Sequence, residues 1–239
     1  MHYKALGFSI LTAASITAAI NAMTTSADAL TFTETSDVGQ SLTNAVDTSS
    51  IGVVGNNPIE NLTTIRGTLV GTADLFKIVV TTGFFTASTR YEDVGIDETV
   101  IDTQLFLFDA NGKGIVANDD FDFLTTRRSR IKAQLAAGTY YLGITKFNYD
   151  PRDRFDNSIF SDAFSGLVPV NPQAGALDNW RGTVFNQPGK TEQEVDTSRT
   201  YEIALGIQPV PTPALIPGLV TLFLAVKRKH QTTPKDSDF

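Results

Sequence analysis

The chain has no cysteine, only two histidines and a single tryptophan in 239 residues. Without cysteine there is no disulfide framework and no thiolate to act as nucleophile or metal ligand. The histidines are His2 and His230, one near each end, so the body of the chain cannot assemble a Ser-His-Asp triad or a histidine-held zinc site. Positive charge is also scarce: 19 Lys and Arg face 26 Asp and Glu, for a formal net charge of −7. No stretch is basic enough to neutralise a run of phosphates, which excludes nucleic acid as a partner. Missing too are an amphipathic helical pattern of useful length and an internal repeat.

What remains is 41% hydrophobic residues, enough for one ordinary core, in short β-rich runs bounded by Gly, Asn and Asp. Leu30-Thr31-Phe32 reads as an edge strand and Ile65 to Leu69 as another. In Asp74 to Thr81, Phe76, Ile78 and Val80 share one face, while Leu75, Lys77 and Val79 make the other face only partly covered. Phe84 to Thr89 is a further strand. Leu105-Phe106-Leu107-Phe108 is large and apolar on both faces, which suits a strand in the middle of a sandwich. The turn Asp109 to Gly114 follows, and Ala137-Gly138 turns into Thr139 to Ile144. Near the end Tyr201, Ile203, Leu205 and Ile207 alternate inward. The expected fold is all-β, an antiparallel, jelly-roll-like sandwich over residues 30–208. A polar insertion at 148–199 is too long for a plain connection, so it carries function or hides short strands.

Both ends look like addresses. Lys4, the apolar run Ala5 to Ala22 and Ala27-Asp28-Ala29 make residues 1–29 a secretory signal peptide, cut by signal peptidase near Leu30. Residues 209–239 combine a Pro-rich linker, an apolar run ending at Val226 that predicts a short hydrophobic helix, and the basic stop Lys227-Arg228-Lys229. With both ends trimmed, neither histidine survives, and the loss of the basic tail leaves the domain more acidic than the whole chain.

The acid-rich set Asp109, Asn111, Asn118, Asp119, Asp120 and Asp122 is the candidate metal site. Calcium takes six to eight oxygens from carboxylates, amides and carbonyls, and two Asp/Asn-rich turns joined by one short strand offer such a set. It is not an EF-hand, since Gly112 stands too early after Asp109 and no Glu closes the loop. The simpler reading is that these side chains cap their own turns. Asp93, Asp97, Glu98 and Asp102 are numerous enough for a carboxylate-based hydrolase, although acids on a β domain are usually solvated charges. Trp180 and Tyr149, in the insertion, form a possible face for stacking on sugars or a partner protein, although a lone Trp more often pins a long loop to its core.

The ordered series Asp102, Thr103, Leu105, Leu107, Phe108, Asp109, Gly112, then Asn118-Asp119-Asp120, then Ser129 and Ile131, then Ala137 to Ile144 resembles the bacterial pre-peptidase C-terminal domain. Gly71 to Phe76 resembles that family's strand opening. Pro211-Thr212-Pro213-Ala214, with the apolar run and basic stop, is similar to the PTPA variant of PEP-CTERM sorting signals, found chiefly in cyanobacteria. That resemblance implies recognition by an exosortase-like membrane peptidase and delivery to the envelope or extracellular matrix, with transient anchoring in the membrane. The apolar run is shorter than the ~20 residues of a comfortable span, and Gln231 to Phe239 extends past the usual basic end. The expected protein is exported and non-catalytic, structural or binding. The alternatives are a carbohydrate- or matrix-binding module using the insertion, with extracellular polysaccharide or envelope proteins as partners, and a carboxylate-based hydrolase.

Overall fold

The computed structural model describes residues 28–55, 60–71, 73–90, 102–121, 128–161, 166–182 and 199–210. Every regular element among them is a strand: β1 (Asp28–Thr33), β2 (Val46–Asp47), β3 (Glu60–Leu69), β4 (Ala73–Val80), β5 (Gly83–Arg90), β6 (Thr103–Phe108), β7 (Gly114–Asn118), β8 (Arg130–Leu135), β9 (Gly138–Lys146), β10 (Tyr149–Asp153), β11 (Leu177–Gly182) and β12 (Arg199–Gln208). They form two five-stranded sheets, ordered β1-β3-β12-β5-β8 and β2-β4-β9-β6-β7, and a two-stranded ribbon of β10 and β11. The predicted signal peptide, apart from its last two residues, and the sorting signal with its helix lie outside the described residues.

The chain seldom pairs a strand with its neighbour in sequence. From β4 to β5, β5 to β6, β7 to β8 and β8 to β9 it crosses from one sheet to the other. Between these layers the period-2 patterns converge. Phe76, Ile78 and Val80 of β4 meet Leu105 and Leu107 of β6, Leu142 and Ile144 of β9, and Tyr201, Ile203 and Leu205 of β12. Each large apolar side chain buried there is worth roughly 1.5–3 kcal/mol over leaving it in water.

One observation corrects the sequence reading, and a second lengthens the strand read at Leu30 to Phe32. The sandwich is not wholly antiparallel: β1 runs parallel to β3, and β2 parallel to β4. The chain leaves β1, crosses to the opposite sheet for β2 and crosses back for β3, and a double crossing returns it in the direction it started. In addition β1 spans Asp28–Thr33, pairing Asp28 with Glu60 and Ala29 with Asn61, and so is longer than Leu30 to Phe32.

The described part of the insertion forms a third layer. Its strands β10 and β11 pair antiparallel, placing Pro151 opposite Trp180. Isolated bridges Lys113–Ala176 and Ala117–Val168 attach it along β7. Beneath it, Leu75, Phe106, Phe108 and Ala117 from the outer face of the second sheet pack with Ile159, Phe160, Val168 and Leu177 in a separate apolar cluster. This is why Leu105 to Phe108 is apolar on both faces: Leu105 and Leu107 face the other sheet, while Phe106 and Phe108 face the insertion.

Candidate functional site

The β6–β7 hairpin carries most of the acidic set, but at its two ends. At the turn, Asp109 Oδ1 accepts the backbone N–H groups of Asn111 (2.8 Å) and Lys113 (2.9 Å), and Gly112 takes a left-handed φ of 79°. A left-handed residue is cheapest as glycine, and a Cβ at Gly112 would in any case run into Leu42. Asp109 therefore closes its own turn, and Asn111 is exposed beside it. The strand Gly114–Asn118 then carries the chain roughly 13 Å away at about 3.3 Å per residue. Asp109 and Asn111 thus do not share a site with Asn118, Asp119 and Asp120.

At the far end Asn118 is a clamp. Its Nδ2 donates to the carbonyls of Asp120 (3.0 Å) and Gly166 (2.6 Å), and its Oδ1 accepts from Arg130 N. Beside it Phe121 N donates to Arg128 O. These bonds hold Asp119 and Asp120 inside, 5% and 2% exposed. The antiparallel register, Leu105 opposite Asn118, brings the start of β6 to the same place. Carboxylate oxygens of Asp102, Asp119 and Asp120 there lie within 4.8 Å of one another. Oxygens bound to one Ca²⁺ at about 2.4 Å can be separated by up to about 4.8 Å, so the spacing fits that ion. Three carboxylates are fewer than its six to eight ligands; carbonyls and water would complete the set. Asp122 lies outside the described residues, as do Asp93, Asp97 and Glu98. In sequence Asp102 stands among the hydrolase acids and at the head of the family-like series, outside the candidate metal set. Counting residues outward from the Asp109–Gly114 turn would have found it opposite Asp120 and Phe121.

Next to this cluster three hydroxyls tie the sheets together. Thr103 of β6 bonds Thr89 of β5 (3.1 Å) and Ser129 at the start of β8 (2.9 Å). Ser129 Oγ also donates to Thr103 O, and Ser129 N to Thr89 Oγ1 (3.0 Å). All three residues are buried, so each hydroxyl needs the partner it has. The Asp-Thr and Ser-x-Ile elements of the sequence pattern thus meet at one cross-sheet junction.

Trp180 packs edge-on to Phe106 and Phe108, with ring centroids 5.5 and 6.1 Å away. Its Nε1 donates to Gln40 O at 2.7 Å. A Cβ at Gly143 would stand 2.8 Å from the indole, so β9 presents a glycine where the ring lies. Tyr149 is half-buried, its N–H donates to Gln104 Oε1 (3.2 Å) and its ring covers Gly182. Both aromatics are engaged in holding the third layer. Between that layer and the sheet, Gln104, Asn118, Asp119, Phe147, Asp150 and Ser158 line a cavity of about 30 Å³. That is space for a water or two.

Compared with protein-family models the chain matches none, and no curated protein matches it.

Proposed function

We propose that this chain is an exported, non-catalytic β-sandwich protein delivered to the bacterial envelope or extracellular matrix, where it serves as a structural or binding module. The observation that carries this reading is the closed third layer. The insertion, the segment best placed to bear a specialised function, spends Trp180, Phe160, Val168 and Leu177 on a second apolar core. The sequence supports it from another side, since residues 28–210 contain neither histidine nor cysteine. In this reading the jelly-roll-like sandwich belongs with pre-peptidase C-terminal domains. Residues 1–29 address the chain for export, and Pro211 to Ala214 with Lys227 to Lys229 mark it for an exosortase-like peptidase. Calcium is the ion assigned to Asp102, Asp119 and Asp120, supported by their spacing and by the hard-oxygen chemistry of carboxylates.

Native mass spectrometry of the protein recovered from the cell surface tests all of this at once. The expected species starts near Leu30, ends near Pro213 and carries one calcium that a chelator removes. A cytoplasmic chain still ending at Phe239 overturns the export reading, and a processed chain of ion-free mass overturns the calcium assignment alone.

A further inference from the structure

Asp74 is a carboxylic acid enclosed between the two sheets. It lies on the inward face of β4 with Phe76, Ile78 and Val80, and it is fully buried. Its Oδ2 accepts one hydrogen bond, from Tyr201 Oη across the sandwich on β12, at 2.6 Å. Its Oδ1 is buried with no hydrogen-bond partner. Tyr201 stands over Gly67 of β3, where a Cβ would run into both Tyr201 Oη and Glu34 Oε2, so a second carboxylate lies near the same glycine. Glu34 in turn accepts the Thr68 N–H at 2.7 Å. The carboxylates acting on Asp74 are Glu34 and Asp37, from the segment after β1. β9 places apolar Ile144 opposite it in register, and β12 brings the neutral phenol of Tyr201. Among the described residues no cation is one of the groups that act on it.

A buried carboxylate with one hydrogen bond, two acidic neighbours and no counter-ion is costly to ionise, and the neutral acid is the cheaper state. We propose that Asp74 is a pH-sensitive latch between the two sheets: protonated it is accommodated with Tyr201 in the core, and its ionisation loosens the sandwich. Burial, with Glu34 and Asp37 adding to it and Tyr201 opposing, pushes the acid from 3.8 up to about 7. The phenol of Tyr201 is held well above its ordinary range by burial and by Asp74, so it stays the donor throughout. Burial likewise raises Glu34.

A raised folded-state value means that the folded chain holds its proton after the unfolded chain has released it. The contribution to stability is complete below about pH 4, falls as pH rises and is gone above about pH 7. From pH 5 to pH 8.5 the unfolding equilibrium constant of the full-length protein should rise on the order of a hundredfold through this group. In urea unfolding across that range, Asp74→Asn, which fixes the neutral state, should remove most of the rise, and Glu34→Gln should move the inflection to lower pH. Parallel pH curves for wild type and Asp74→Asn would overturn the latch. Should the Asn variant not fold, infrared spectroscopy of the folded wild type decides. A buried acid C=O band present at pH 5 and lost near pH 7 supports the latch, and its absence at pH 5 refutes it.

Discussion

Two buried carboxylates, one in each apolar layer, end in opposite electrostatic states. Asp74, between the sheets, is fully buried, has one hydrogen bond and is pushed up to about 7. Asp153, at the end of β10 in the third layer, is 1% exposed. It accepts four: Phe155 N and Asn157 N on Oδ1, Asn157 Nδ2 and Gly175 N on Oδ2, at 2.8–3.0 Å. Those donors, the Gly175 N–H first among them, hold it down at about 2. Low exposure alone therefore does not decide the charge of an acid: Asp74 lies deep in the core with one donor, while Asp153 lies nearer the surface with four N–H groups aimed at it. The difference also separates the layers by construction. The inter-sheet core is made of alternating strand residues and tolerates a lone acid as a neutral group. The third layer is a two-stranded ribbon with loops around it, and an ionised carboxylate serves as the centre on which backbone and side-chain N–H groups of those loops close.

This contrast is open to direct attack. The largest effect should come from Trp180→Ala, which removes the ring from Phe106 and Phe108 and the indole's hydrogen bond to Gln40 O. It should cost about 2–4 kcal/mol, near the lower end for a large aromatic because the ring is half-buried. Limited proteolysis should then cut within 149–182 while β4, β6 and β9 stay resistant; equal resistance in variant and wild type would mean that the ring is not the pin. Asp153→Asn should have a smaller effect of the same kind, a loss of a few degrees in Tm at pH 7, because its amide NH₂ would face N–H donors. Since the folded-state value of Asp153 is lowered, its contribution is present above about pH 4 and lost as pH falls toward 2. The Tm gap between wild type and Asp153→Asn should close over that range, and a gap constant with pH would contradict the carboxylate's role as the loop centre.

How much of this could be read from the sequence differs by region. Phe76, Ile78 and Val80, and Tyr201, Ile203 and Leu205, announce the inter-sheet face because period-2 alternation is a local signal. Leu105 to Phe108 announced a strand covered on both sides, without saying by what. The cover was not legible: β10 contains Pro151 and β11 reads Leu-Asp-Asn-Trp-Arg-Gly, neither with a strand pattern, and their pairing depends on residues 24 or more positions apart. Parallel β1 and β2 were invisible for a similar reason, since pairing direction follows from where the chain crosses between sheets. For the acidic set, Asp109 as a turn cap was readable from local chemistry, and Asp109 with Asn111 proved separate from Asn118 to Asp120 by the length of β7. The meeting of Asp102 with Asp119 and Asp120 needed the hairpin register. Asp74 carried its own signal, an acid in phase with three core residues, and alternation alone would have placed it inside.

The central claim is that the insertion is a layer of the fold and not an appendage. Hydrogen–deuterium exchange on the full-length protein at pH 7 tests it most directly. The amides of Asn157, Val168, Gly175 and Leu177, each bonded in the structure to Asp153, Ala117, Asp153 and Gly112 respectively, should be slowed well beyond an unfolded chain, in company with β6 and β9. Exchange of these four at the unfolded rate, with β6 and β9 still protected, would contradict it.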